Sequence, residues 1–115
     1  MNETAEVKIR ESLWKVVDLL VPLVDTDIAT FLTREGIMDE EDYRKWKEAV
    51  RLINRAYAKS FDRDYSKSKG EIRDNVRRAS EILNSIKPKK PMPPEMTIRF
   101  ASVLSSLEEV MKNLQ

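Results

Sequence analysis

Cysteine and histidine are absent from this chain. Without cysteine there is no disulfide, no thiol nucleophile and no thiolate zinc site. Without histidine there is no imidazole base, no Ser-His triad and no imidazole metal ligand. Glycine is scarce as well: Gly36 and Gly70 are the only two in 115 residues. Both fall where a helix boundary is expected. No apolar run approaches the ~18 residues of a membrane span. The longest, Leu19-Leu20-Val21-Pro22-Leu23-Val24, is interrupted by proline, so no membrane partner is expected. The opening Met1-Asn2-Glu3-Thr4-Ala5-Glu6 is polar and acidic, unlike a signal peptide, and a cytoplasmic, intracellular protein is expected.

Charge and helical periodicity are what the chain has. Charged residues make up 36%, against a usual ~25%. The 21 basic and 20 acidic side chains nearly cancel, to a net charge of +1. With a single glutamine, this balance leans towards an archaeal, thermophilic source. Apolar residues are 41%, enough for one core in one domain spanning 1–115.

The apolar spacing is close to 3.6 throughout, which predicts an all-α, single-domain bundle of about five helices near 4–21, 27–35, 40–60, 68–86 and 94–114. In the first, Ile9, Leu13, Val16, Val17, Leu20 and Val24 form a stripe that Trp14 and Val21 widen, and Pro22 ends or kinks the helix. Asp25 or Thr26 caps the short second helix, and Gly36 takes its left-handed C-terminal position. The third starts at Asp39 and repeats Tyr43, Trp46, Val50, Ile53 and Tyr57 at 3-4-3-4 spacing. Ser68-Lys69-Gly70-Glu71 reads as the capping box of the fourth. A proline-rich linker, 87–94, precedes the fifth. Trp14, Phe31, Trp46, Val50, Ile53, Val76, Leu83, Phe100, Leu104 and Leu107 are the expected core, and Phe61 is expected to close its end.

The small net charge hides a segregation. Residues 1–58 sum to −3, 59–90 to +5 and 91–115 to −1. At ~100° per residue, Lys69, Arg73, Arg77, Ser80, Asn84 and Lys87 share one acid-free flank of the fourth helix. On the third, Arg44, Lys47, Arg51, Asn54 and Arg55 cluster with only Glu48 near them. In an antiparallel hairpin the two basic stripes would lie side by side. Such flanks commonly serve as solvated surface. Their arginines also suit phosphate, which a planar guanidinium meets in register. Lys67 and Lys69, beside two hydroxyls and a glycine, lie where a helix N-terminus favours an anion. Tyr65 in the same connection is a candidate ring for stacking on an unpaired base.

Other chemistry falls away. Asp62, Asp64, Ser66 and Ser68 imitate alternate positions of a calcium loop, but Lys67 and Arg73 stand where it needs glycine and a bidentate glutamate. Asp25-Thr26-Asp27 reads as capping rather than a magnesium site. A helix-turn-helix layout around Gly36 would bring the acidic Asp39–Asp42 run to DNA. No serine has an activating partner, so neither enzymatic activity nor a cofactor is expected.

The reading that results is a non-catalytic, nucleic-acid-binding bundle, an accessory domain or small subunit of a DNA- or RNA-processing system. Its expected phosphate contacts are Lys67, Lys69, Arg73, Arg77, Lys87, Arg51 and Arg55, with Tyr65 for a base. Single strands are slightly preferred over duplex. A nucleoside triphosphate and a larger enzyme chain are further candidate partners. The alternative is a protein-interaction or assembly module.

Overall fold

In five segments apolar side chains recur every three or four residues, and each segment is helical in the computed structural model, which describes residues 3–20 and 26–114. They are α1 (Glu3–Leu20), α2 (Thr26–Arg34), α3 (Glu40–Lys59), α4 (Tyr65–Ser85) and α5 (Pro94–Asn113). There is no strand among the described residues. The expected helix end at Pro22, the Val21 and Val24 positions and the cap at Asp25 lie outside those residues, as does the side chain of Thr26.

Three long-range hydrogen bonds set the helix directions. Arg10 on α1 donates to the Ser60 carbonyl beyond α3. Arg99 near the start of α5 donates to the Leu19 carbonyl at the end of α1. Arg73 in α4 donates to the Leu114 carbonyl that closes α5. With α1 packed on α3 and α5, and α4 packed on the same two helices, the four long helices form an up-down-up-down bundle of 48 × 21 × 21 Å. The short α2 belongs to the connection between α1 and α3.

The core is the meeting of four stripes. Ile9, Leu13, Val16 and Leu20 face Trp46, Ala49, Ile53 and Ala56, Ile72, Val76, Ala79 and Leu83, and Val103, Leu107, Val110 and Leu114, all at most 1% exposed. Phe31, Val50, Phe100 and Leu104, expected inside, are partly buried against them. Two expected core rings are not inside: Trp14 is 55% exposed and Phe61 56%. Trp14 lies one residue past Leu13, about 100° around α1 from it and on the side away from the centre of the stripe. Phe61 continues the α3 spacing beyond the point where that helix has ended.

The caps follow the sequence in two places and depart from it in a third. Asp39 accepts from the Asp42 amide at 2.8 Å and Asp42 reaches back, a capping box at α3. At α2, Ile37 N–H donates to Leu32 C=O and Gly36 N–H to Thr33 C=O, with Gly36 at φ +72°. This is a Schellman closure, and it needs a residue without a Cβ. The expected capping box at Ser68 is corrected. Helix α4 begins three residues earlier, because the Asp64 carboxylate accepts from Lys67 N–H and caps it there. Ser68 is buried inside the helix and its hydroxyl donates to Asp62. Gly70 is thereby interior to α4, not at a boundary, and a methyl added there meets nothing within 4 Å.

The linker after α4 is strapped over one end of the bundle. Lys89 N–H donates to Ile37 C=O at 2.8 Å, and its ammonium reaches Asp42 at 2.7 Å and Asp39 at 3.4 Å. Asp42 is only 3% exposed, so the lysine supplies its countercharge. The hydrogen bond to Asp42, followed by that to Asp39, holds the Lys89 ammonium above its ordinary range. The Asp42 amide, then Lys89, hold the Asp39 carboxyl below its own.

Two pairs of measurements check this account. Gly36→Ala should cost about 1–2 kcal/mol, because it forces a Cβ into left-handed backbone. Gly70→Ala should instead stabilise by about 0.5–1 kcal/mol, by removing unfolded-state freedom from an uncrowded helical site. Urea denaturation reads both. The strap has its own pH window. Lys89 is raised above 10.5, so its contribution is complete below that pH and is lost as pH climbs through the folded value. Asp39 is lowered below 3.8, so its contribution is complete above that pH and is lost as pH falls through the folded value. Lys89→Met should therefore lower the Tm most between these limits, and the gap from wild type should narrow beyond either one.

Candidate nucleic-acid interface

The α4 flank is divided by packing. Arg73 turns towards α5 and its guanidinium donates at 2.6 Å to the Leu114 carbonyl, satisfying a helix C-terminus. Arg77 is exposed, 3.8 Å from Asp74. Lys87 is exposed and Lys69 half-exposed, and neither has an ion-pair partner among the described residues. Lys67 is exposed, 3.8 Å from Asp64. The anion seat expected at this helix start is filled from within the chain: the Asp64 carboxylate accepts from the Lys67 amide. Tyr65 packs against the core with its hydroxyl buried and without a hydrogen-bond partner. Burial, and then the nearby Glu6, push that hydroxyl above its ordinary range.

Across the hairpin, α3 meets a different side of α4. Arg55 lies 3.4 Å and Lys59 3.6 Å from Glu71, which sits opposite the Arg73 flank. Arg51 grips Glu48 through two bonds of 3.0 and 2.6 Å. That grip holds the Glu48 carboxyl below its usual range, and Arg78 on α4 adds to the effect. The expected side-by-side basic stripes are therefore separated: α3 faces Glu71 and Arg78, while Arg73 reaches α5. Exposed ion pairs of this kind contribute about 0–1 kcal/mol, so opening one costs little.

The outward side of α3 remains open. Arg44, Lys47, Arg51 and Asn54 are exposed along it, and the Lys47 ammonium lies 4.7 Å from the Tyr43 ring centre. At the end of α3 lies a ladder of rings. Trp14 and Tyr57 have centroids 5.7 Å apart, and Tyr57 meets Phe61 edge-on at 5.1 Å. The Arg10 guanidinium lies 4.5 Å from the Phe61 ring centre, and exposed Arg63 follows two residues on. Exposed rings with Arg10 thus stand at the last turn of α3, and exposed cations lie along the same helix and at Arg63 beyond it. The signals were present but weak in the sequence: the off-centre position of Trp14, and a spacing that outlasts the helix at Phe61.

Among the described residues no cluster of acidic side chains is arranged to hold a metal ion, and no helix is long and apolar enough to cross a membrane. Compared with known proteins, the chain matches no family model, no curated protein and no solved structure.

The two roles available to Arg73 have different signatures. As the cap of α5 it makes a charged hydrogen bond worth about 1.5–3 kcal/mol, and Arg73→Ala should lower unfolding stability by that amount. As a phosphate contact alone it would leave stability unchanged and flatten the salt dependence of oligonucleotide binding. Urea denaturation beside a salt titration distinguishes them.

Proposed function

We propose that this bundle binds single-stranded nucleic acid as a non-catalytic accessory module, with α3 at the centre of its interface. The observation that carries the reading is the pair of large exposed rings, Trp14 and Phe61, joined by Tyr57, with the Arg10 guanidinium over Phe61. A single strand offers unpaired bases to such rings and phosphates to such cations, and every base has a face to stack. Arg44, Lys47, Arg51 and Arg63 are the proposed phosphate contacts on this face. Lys67 and Lys69 extend it around the α3–α4 turn, and Arg55 joins by exchanging Glu71 for phosphate. Arg77 and Lys87 lie on the exposed side of α4 and its linker, where they serve a longer strand. Duplex DNA holds its bases stacked and gains only the phosphate term, so the reading favours single strands over duplex.

A second reading, docking of a protein partner, is supported by Val7. It is 41% exposed and shares a shallow depression with Arg10, Glu11, Trp14 and Tyr57. Salt dependence separates the two. Anisotropy titrations with a labelled single strand should show affinity falling steeply with salt. Lys47→Ala, Arg51→Ala and Arg63→Ala combined should reduce the slope by about 2, at about 0.7 per phosphate. Trp14→Ala or Phe61→Ala should each weaken single-strand binding by about 1–3 kcal/mol while duplex binding barely moves. Absence of binding at low salt would discard the nucleic-acid reading and leave the ring face to a protein.

A further inference from the structure

Val7, Arg10, Glu11 and Trp14 stand at i, i+3, i+4 and i+7 of α1 and so share one side of that helix. With Tyr57 of α3 they line a depression of about 300 Å³. That volume is at the lower end of small-molecule sites. The Trp14 and Tyr57 centroids are 5.7 Å apart, which is direct ring contact. Nothing flat enters between them, so an incoming ring stacks on the exposed surface of Trp14.

The two charged residues of the depression differ in their commitments. The Arg10 guanidinium donates to Glu6 at 2.8 Å and to the Ser60 carbonyl at 2.9 Å, and lies over the Phe61 ring. Glu11 is exposed and has no ion-pair partner among the described residues. A carboxylate left unpaired beside the stacking ring repels phosphate, which is a cost to a strand binder that ignores sequence. It has one compensating use. An ionised carboxylate only accepts, through two oxygens side by side. Unpaired bases are read by hydrogen bonds on their Watson–Crick edges. Guanine carries two adjacent donors there, N1–H and the N2 amino group. Adenine and cytosine place an acceptor beside their amino group, and thymine and uracil flank their N–H with two carbonyls. Both oxygens of Glu11 thus find donors on guanine, and one of them meets a lone pair on each other base.

We propose that this depression is a guanine-reading subsite, in which the base stacks on Trp14 and the Glu11 carboxylate accepts from its N1–H and N2 amino group. The inference rests on the single-strand reading above and adds base selectivity to it.

The probes are labelled oligothymidylates that carry one dG, dA, dC, dT or deoxyinosine at the centre, titrated by anisotropy at low salt against the full chain. The dG strand should bind about 10-fold more tightly than the dA, dC and dT strands, the discrimination of a good bidentate pair. Deoxyinosine keeps N1–H and lacks the amino group, so it should lose most of that advantage. Glu11→Gln has opposite effects on two strands. It should weaken the dG strand by removing one acceptor, and tighten the all-thymidine strand by removing a negative charge. The unfolding curve should stay that of wild type, because Glu11 is exposed. Equal affinity for the strands in wild type would overturn the base assignment and leave the single-strand reading standing. Equal tightening of every strand by Glu11→Gln would do the same, reducing Glu11 to a repulsive charge. Failure to bind any of the strands would overturn both.

Discussion

The constraint on which the rest of this structure depends is the mutual burial of four apolar stripes. Each of α1, α3, α4 and α5 is amphipathic, and none can hide its apolar face alone. Closing all four on one another removes Leu13, Trp46, Ile53, Val76, Leu83 and Leu107 from water at once. Each fully buried side chain of this size contributes about 1.5–3 kcal/mol. That closure imposes the antiparallel order and places the start of each helix beside the end of a neighbour. The arginines that bridge the helices are consequences of it. Arg10, Arg73 and Arg99 each meet a carbonyl near a helix end, where unsatisfied acceptors and the negative end of the helix dipole favour a cation.

The same closure decides what the charged residues can do. With 36% of the chain charged, many of the positions outside the core carry a charge, and neighbouring helices bring opposite signs together. Across the α3–α4 seam Glu71 pairs with both Arg55 and Lys59, while Glu48 pairs with Arg51 along α3 itself. What remains open lies on the outward side of α3 and around its last turn. There the chain also places aromatic surface that the core has no room for, and this coincidence of rings and cations motivates the proposed function.

The two ends of the bundle are built differently. One end holds the tight α3–α4 turn and the exposed Phe61. The other is covered by a long connection, and Lys89 commits it to the N-terminus of α3 by meeting the buried Asp42. Because prolines supply no N–H and fixed backbone angles, the strap arches over the core without filling it. A cavity beside Trp46 is the space left beneath it.

The sequence by itself determined the helical class, the number of helices, the Asp39 cap, the Gly36 turn and the central core positions. All of these rest on local rules, a 3.6-residue period and side chains that bond to amides a few residues away. It also marked where positive charge is concentrated along the chain. Tertiary structure alone decided which cations are free. That Arg73 would donate to the Leu114 carbonyl, and that Glu71 would stand opposite Arg55, depends on which helices become neighbours. Trp14 and Phe61 show the same limit: periodicity places a ring near an apolar stripe, but the width of the seam that closes over it is set by the partner helix. Even the local signal at Ser68 was outcompeted, because Asp64 offered an earlier cap and the serine was needed inside. Local chemistry is encoded in local spacing, whereas a surface site is a property of what packing leaves uncovered.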